Sequence, residues 1–129
     1  MEISREDLVL LMEGGYLYLR MGKFNEAKDV FEGVSVMAPE SDVPWVALGS
    51  VFFGQHKFDQ AIKNYRKALE KKPKSAFAHA YLGESLFFSG KMKEGLGSLK
   101  MAMNLDPKGK SGEFAKTLHD AILSHMPSV

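Results

Sequence analysis

The feature that most constrains this chain is a residue pattern that recurs every 34 positions. Three prolines keep this interval, at Pro39, Pro73 and Pro107. Six further columns keep it as well: Leu11, Trp45 and His79; Gly14, Leu48 and Leu82; Gly15, Gly49 and Gly83; Ala27, Ala61 and Gly95; Phe31, Tyr65 and Leu99; Val34, Ala68 and Ala102. Several columns in phase indicate one supersecondary unit present in three copies, and such units bury their apolar faces by stacking on one another.

The residue types in these columns predict pairs of closely packed helices. Small residues let two helices approach, Phe31 and Tyr65 fill the gap to the next copy, and each proline ends a helix because it has no N–H to donate. Seven helices are expected, at about 5–20, 25–37, 42–55, 59–71, 76–89, 93–105 and 111–125.

Local signals mark several helix ends and turns. Asp59 and Ser75 are expected N-caps, because their side-chain oxygens can accept a hydrogen bond from a free N–H in the first turn. Gly22 and Gly90 are expected at the tight turns of the first and third copies, where glycine adopts a positive φ at little cost. Gly95 stands where the other copies have alanine, which should cost its helix about 1 kcal/mol.

The second copy resembles the tetratricopeptide repeat. The family pattern W-x-x-L-G-x-x-Y, A-x-x-x-F and P is matched here by Trp45, Leu48, Gly49, Phe52, Ala61, Tyr65 and Pro73. The resemblance covers the chain from Leu8 to Gly109. It implies an all-α solenoid of three helix-turn-helix repeats, at about 8–41, 42–75 and 76–109.

The seventh helix, at about 111–125, does not follow the repeat pattern. It is amphipathic instead, with Phe114, Leu118 and Ile122 at every fourth position and with Ala115 and Ala121 beside them. Because a solenoid needs its last apolar face covered, we interpret this segment as a C-terminal capping helix. We expect residues 1–129 to form a single domain of this type.

Composition and charge exclude several classes of function. Hydrophobic residues make up 45% of the chain, the net charge is +1 and there is no cysteine, so neither a disulfide framework nor a strong overall attraction to nucleic acid is expected. The absence of cysteine fits a reducing compartment, and we expect a cytoplasmic protein that does not insert into a membrane. A basic run follows one helix (Lys63, Arg66, Lys67, Lys71, Lys72 and Lys74), and we interpret it as a solvated face because no stacking aromatic accompanies it.

Enzyme signatures are also missing, so we expect a protein that is not an enzyme. Gly109-Lys110-Ser111 resembles the end of a phosphate-binding loop, but Asn104 replaces the required first glycine and a helix precedes the motif. The histidines lack the spacing of metal ligands, and no nucleophile–base set can be assembled. We predict no catalytic residue, no cofactor and no metal site.

In tetratricopeptide arrays the first helix of each repeat lines a concave groove, chiefly through its second, fifth, ninth and twelfth positions. The matching residues are Val9, Met12, Tyr16, Leu19, Val43, Val46, Ser50, Phe53, Phe77, Ala80, Glu84 and Phe87. Ten of the twelve are apolar or aromatic. A groove of this kind suits a hydrophobic or amphipathic segment of a protein partner, extended or helical.

Co-chaperones of this family bind the acidic C-termini of Hsp70 and Hsp90 through a clamp of lysines, an arginine and asparagines. The positions that match the clamp carry neither charge nor amide here; they are Met12, Tyr16, Ala47, Phe77 and Tyr81. The resemblance therefore does not extend to that function.

Three repeats, an apolar groove and a terminal helix are also similar to the translocator chaperones of bacterial type III secretion. Phe77–Leu86 and Ser89–Leu96 look like the third repeat of those chaperones, and Glu113-Phe114 and Ala121-Ile122 have counterparts in their last helix. This resemblance implies a chaperone for an exported protein. The chaperones of needle subunits, which also have an apolar groove, remain an alternative.

The competing hypothesis is a self-associating tetratricopeptide scaffold or assembly adaptor. Residues 1–42 carry nine acidic and four basic side chains, whereas residues 43–129 carry seven acidic and thirteen basic ones. An acidic end and a basic end could join copies head to tail, so a homo-oligomer is one possible state of the chain.

Overall fold

The computed structural model describes residues 3–126, and this part of the chain folds into seven α-helices without strands. They are α1 (Arg5–Arg20), α2 (Phe24–Met37), α3 (Val43–Gly54), α4 (Phe58–Lys71), α5 (Ala76–Phe88), α6 (Met92–Leu105) and α7 (Lys110–Ser124). All seven predicted helices are confirmed, each within one residue at either end. The fold class is also confirmed: three helix pairs form an all-α solenoid and a seventh helix follows them.

Two of the helices begin at a serine N-cap. Ser4 Oγ accepts a hydrogen bond from the Asp7 N–H at 3.1 Å, and Ser75 Oγ accepts one from the Ala78 N–H at 3.0 Å. The prediction for Ser75 is thus confirmed. The prediction for Asp59 is wrong, because α4 already begins at Phe58 and Asp59 lies inside its first turn. There its negative charge faces the positive end of the helix dipole.

The turn inside each pair requires a left-handed residue. Gly22 has a φ of 74° and Gly90 a φ of 91°, as predicted. His56 lies at the equivalent position of the second pair and has a φ of 60°. A side chain in this conformation is strained by roughly 1–2 kcal/mol. The His56 ring rests edge-on against Phe58, with 5.9 Å between the ring centroids.

The helices form an inner and an outer layer. In the inner layer α1 contacts α3, α3 contacts α5, and α5 contacts α7. The outer helices α2, α4 and α6 each pack on the inner helices, but their backbones do not approach one another within the described residues. The Arg66 guanidinium of α4 reaches the Glu94 carboxylate of α6 at 3.4 Å. Because the outer helices are spread apart and the inner ones touch, the inner layer lies on the concave side of the solenoid.

In each of the first two helix pairs, an aromatic ring of the second helix packs directly on a glycine of the first helix. A Cβ at Gly15 would lie 2.4 Å from the Phe31 ring, and a Cβ at Gly49 would lie 2.3 Å from the Tyr65 ring. Phe31 and Tyr65 are fully buried, and each also belongs to a core cluster with the first helix of the next pair. The aromatics therefore fill the gap between repeats, as predicted, and they also occupy the space that each glycine leaves.

The third pair uses a different solution. Leu99 replaces the aromatic ring, and the α5 and α6 backbones approach each other at Gly83 and Gly95. A Cβ at Gly95 would lie 2.9 Å from the Gly83 carbonyl oxygen and 3.0 Å from the Phe87 nitrogen. Glycine at position 95 therefore permits a close contact that alanine would obstruct.

Helix α7 covers the open face of the third pair. Ala115 and Ile122 are buried in a cluster with Ala80, Leu99 and Ala102, and Phe114 and Leu118 pack against this cluster. The expected amphipathic face is therefore present, except that Ala121 is exposed.

A buried polar contact joins the second and third pairs. Ser75 Oγ donates a 2.6 Å hydrogen bond to the Asp42 carboxylate, and both side chains are buried. Lys72 Nζ lies 3.8 Å from the same carboxylate. The residues at the starts of α3 and α5 are thus tied together across 33 positions of sequence.

The close contact between α5 and α6 predicts that alanine substitutions at two glycines of α6 have opposite effects on stability. Gly95→Ala should lower the free energy of unfolding by about 1–2 kcal/mol, because overpacking against backbone atoms outweighs the better helix propensity of alanine. A Cβ added at Gly97 would meet no heavy atom of a neighbouring element within 4 Å. Gly97→Ala should therefore raise the free energy of unfolding by about 0.5–1 kcal/mol. Urea unfolding of both variants measures the difference. A more stable Gly95→Ala protein would contradict the close contact.

Candidate functional site

The inner layer carries the residues that the sequence predicts for a groove, but two of them have no free surface. Val46 and Ala80 are fully buried, Val46 in the cluster between the second and third pairs and Ala80 in the cluster below α7. Both belong to the core and cannot contact a partner in this arrangement. The repeat position alone does not reveal this, because the equivalent Met12 in α1 is only partly buried.

The other ten predicted residues retain exposed surface. Val9 is 51% exposed and Val43 is 38% exposed. The remaining eight are partly buried: Met12, Tyr16, Leu19, Ser50, Phe53, Phe77, Glu84 and Phe87. We refer to the surface formed by these ten residues as the inner groove. Most of its members pack against the core on one side and face the exterior on the other.

Aromatic contacts define the wall of the inner groove around α3 and α5. The Phe53 ring lies edge-on to Phe58 at 5.3 Å and to Phe88 at 5.6 Å, measured between ring centroids. Phe87 lies 5.3 Å from the same Phe88. Edge-to-face pairs of this kind hold the rings in place, so the wall is a preformed apolar surface.

Two aromatic residues of the site, Tyr81 and Phe114, are not among the twelve predicted groove positions. Tyr81 stacks on Phe114 of α7 with 5.0 Å between ring centroids, and Phe77 lies edge-on to Tyr81 at 5.3 Å. The signal was present, because Tyr81 follows Phe77 by one helical turn and therefore shares its face. The part played by Phe114 depends on how α7 folds back, which the repeat pattern does not specify.

Hydroxyl groups lie among these aromatic residues. Ser50 Oγ is 3.3 Å from the Tyr65 hydroxyl and also donates to the Val46 carbonyl at 3.2 Å. Burial raises the pKa of Tyr16 to about 12, and the nearby Tyr81 phenol contributes to this rise.

Glu84 is the one charged member of the inner groove. Burial raises the pKa of its carboxyl group to about 7. The neighbouring Tyr65 and Tyr81 both have raised pKa values, chiefly because of burial, and the Glu84 charge adds to each rise. Within residues 3–126 the Glu84 carboxylate has neither a hydrogen bond nor an ion pair, so an acidic group lies uncompensated among tyrosines.

A separate groove of about 790 Å³ lies on the outer face between α2 and α4. Trp45, Leu48 and Phe52 of α3 form its apolar floor, and the basic run of α4 contributes to its wall. The Lys67 ammonium lies 5.7 Å from the Trp45 ring centroid and 3.3 Å from the Glu70 carboxylate. Arg66 pairs in turn with Glu94 at 3.4 Å. Two of the basic wall residues are therefore already engaged with neighbours of the same chain, which makes this groove a weaker candidate for binding.

Neither a metal centre nor a membrane span is recognisable in the described residues. Among residues 3–126, histidines and carboxylates do not gather in groups that could ligate a metal ion. No helix in the same range combines the length and the apolar character that crossing a membrane requires.

Two family models match the chain. A tetratricopeptide repeat model matches residues 11–39, and a second model, described as a TPR repeat, matches residues 49–90. Together they account for more than half of the chain, which therefore contains tetratricopeptide repeats.

Known proteins resemble the chain at low identity. The peroxisomal targeting signal receptor of Saccharomyces cerevisiae is 26% identical over 121 residues, and the chain spans only 20% of its length. The type III secretion translocator chaperone SycD of Yersinia enterocolitica has the same fold, with a TM-score of 0.81, 21% identity and 93% and 92% of the two chains covered. The first TPR of Spaghetti (RPAP3), bound to the HSP90 peptide SRMEEVD, has a TM-score of 0.75 and 20% identity, with 96% and 98% covered.

SycD is also known with a peptide of the translocator YopD. That complex has a TM-score of 0.79 and 22% identity to this chain, and 96% and 95% of the two chains are covered. At these identities the likeness establishes a shared fold.

The raised pKa of Glu84 predicts how stability depends on pH. The folded state holds this proton more tightly than the unfolded state, so the charge costs stability as the pH rises from 4.5 to about 7. Glu84→Gln should therefore match the wild type in acid and exceed it above pH 7 by about 1–2 kcal/mol, a figure reduced for partial exposure to solvent.

Urea unfolding of the two proteins across this pH range measures the difference. Glu13→Gln on the exposed side of α1 is the matched control and should follow the wild type throughout. A constant offset between Glu84→Gln and the wild type at every pH would contradict the assignment of the titration to Glu84.

Proposed function

We propose that the chain is a non-catalytic protein-binding module whose inner groove takes up an apolar or amphipathic segment of a partner protein. The observation that carries the proposal is the wall of half-buried aromatic side chains on the inner helices, which includes Phe53, Phe77 and Tyr81. Apolar surface that is concave, preformed and open to solvent is typical of ligand-binding sites.

The proposal extends to a narrower role, a cytoplasmic chaperone of a bacterial secretion system. It is supported by the likeness in fold to SycD, whose complex with a peptide of a translocator is known. A chaperone of this kind would cover an apolar segment of its partner before export. The groove chemistry fits this task, because apolar contacts need no particular side-chain sequence in the partner.

The inner groove fits an acidic C-terminal peptide poorly. Spaghetti carries the same fold and is bound to the HSP90 peptide SRMEEVD. In this chain the clamp positions Met12, Tyr16 and Phe77 offer no cation, and Glu84 adds a negative charge nearby. An acidic peptide would therefore meet repulsion in this groove.

A charge placed on the groove wall should abolish binding. Phe53→Glu would place an unpaired carboxylate against the apolar side chains of the bound segment, at a cost of more than about 3 kcal/mol. The affinity should therefore fall at least about a hundredfold. The probe is a set of fluorescent peptides selected on the wild-type chain from a random dodecapeptide phage library, and anisotropy measures their binding.

Two further variants keep this test decisive. Val43→Glu changes a more exposed groove residue at the start of α3, where a negative charge is tolerated by the helix, so it should fold even if Phe53→Glu does not. Val36→Glu is the matched control on the outer face, where Val36 is 78% exposed, and it should bind normally. Normal binding by folded Val43→Glu and Phe53→Glu proteins would contradict the groove as the site.

The second candidate function, a self-associating scaffold, is favoured by exposed apolar side chains along α1. Leu10, Leu17 and Met21 are 66%, 51% and 56% exposed, and their spacing places them along one stripe of the helix. A second copy of the chain could cover this stripe. The scaffold hypothesis thus concerns a surface distinct from the inner groove.

Light scattering tests the scaffold hypothesis. If copies meet through α1, the mass of the wild type rises with concentration, whereas Leu17→Asp remains monomeric because each interface would bury an unpaired charge. Leu123→Asp changes a comparably exposed leucine on α7 and should associate like the wild type. A wild type that is monomeric at every concentration would rule out the scaffold.

A further inference from the structure

The inner groove contains a band of polar groups between its aromatic walls. Tyr16, Ser50 and Glu84 occupy the same position in three successive repeats, so they cross the inner layer at one level of α1, α3 and α5. The Tyr65 hydroxyl joins them through its 3.3 Å contact with Ser50 Oγ. Glu84 lies at one end of this band, beside Tyr81, and its carboxylate accepts no hydrogen bond within residues 3–126.

The chain itself does not neutralise Glu84. No lysine, arginine or histidine pairs with its carboxylate within residues 3–126, although six other ion-pair contacts occur in this range. Its titratable neighbours are Tyr65 on α4 and Tyr81 on α5, and both are neutral near pH 7. A partner that covers the inner groove would remove the remaining water from the carboxylate and would have to supply a donor.

We propose that the segment bound in the inner groove carries a lysine or arginine among its apolar residues, and that the cationic group of this residue pairs with Glu84. This inference rests on the proposed function and names the chemistry of its partner. A long basic side chain fits the site, because its methylene stem can lie along Phe77 and Tyr81 while its charged end reaches the carboxylate. The tyrosine faces beside Glu84 add cation–π attraction.

The arrangement also explains why a carboxylate is suitable at this point of an apolar groove. Apolar walls can bind many peptide sequences but do not fix the position of a peptide along the groove, whereas one buried ion pair fixes the register of the bound segment. Such a pair discriminates against a partner without the cation, because the carboxylate would then be buried alone.

Parallel selections from a random dodecapeptide phage library test the inference. The full chain and its Glu84→Gln variant serve as baits, and Phe53→Glu is the groove-blocked bait. We expect the wild type to enrich apolar peptides that contain one lysine or arginine. Glu84→Gln should enrich apolar peptides without this preference, since its side chain has nearly the same shape but no charge. Phe53→Glu should enrich neither set.

A double-mutant cycle on one selected peptide gives the strength of the pair. Replacement of the basic residue of the peptide by methionine should weaken binding to the wild type about tenfold to a hundredfold and leave binding to Glu84→Gln nearly unchanged. Binding of the basic peptide to the wild type should also weaken when the pH falls below about 7, as Glu84 takes up a proton, whereas the methionine peptide should show no such loss.

The outcomes separate this inference from the function on which it rests. The pairing with Glu84 is overturned if the wild type enriches apolar peptides that lack a basic residue, or if Glu84→Gln shows an equal preference for basic residues. In either case the groove remains the binding site. Failure of the wild type to enrich any apolar peptide, or equal binding to Phe53→Glu, would overturn both proposals. Thermal unfolding of each bait confirms that it is folded.

Discussion

The rest of the structure depends on the contact between a glycine of the first helix of each pair and a large side chain of the second. Phe31 covers Gly15 and Tyr65 covers Gly49, and a Cβ at either glycine would overlap the ring. Each ring also packs against the next pair, so one side chain sets both the distance within a pair and the stacking of successive pairs. In the third pair Leu99 covers Gly83, Gly95 brings the α5 and α6 backbones together, and α7 closes the open face.

This packing leaves the opposite side of the inner helices free for function. Much of the core is built by side chains that pack between inner and outer helices, so an exposed residue such as Val43 is not needed to hold the pairs together. Glu84 goes further, because its buried charge lowers stability at neutral pH. Groups that disfavour the folded chain by itself are expected mainly where a protein meets its ligand.

Sequence periodicity predicted the fold well because the periodic residues are also the packing residues. The interval of 34 residues located the six helices of the repeats and the glycine turns, and the amphipathic spacing located α7, whereas local details such as the N-cap of α4 were not predicted. The groove was harder to predict. Val46 and Ala80 share one repeat position with the partly exposed Met12 but are buried, since the neighbouring helices differ from pair to pair. The repeat pattern also does not predict the contact of Tyr81 with Phe114 or that of Asp42 with Ser75, because both form only through tertiary packing.

The central claim is that a partner segment lies on the inner face of the solenoid. Backbone amide chemical-shift changes of the isotope-labelled chain, recorded as a selected peptide is added to saturation, test this claim most directly. We expect the largest changes to fall in α3 and α5, around Phe53, Phe77 and Glu84, and to continue into α1. Changes concentrated in α2 and α4, around Lys67 and the outer groove, would contradict it.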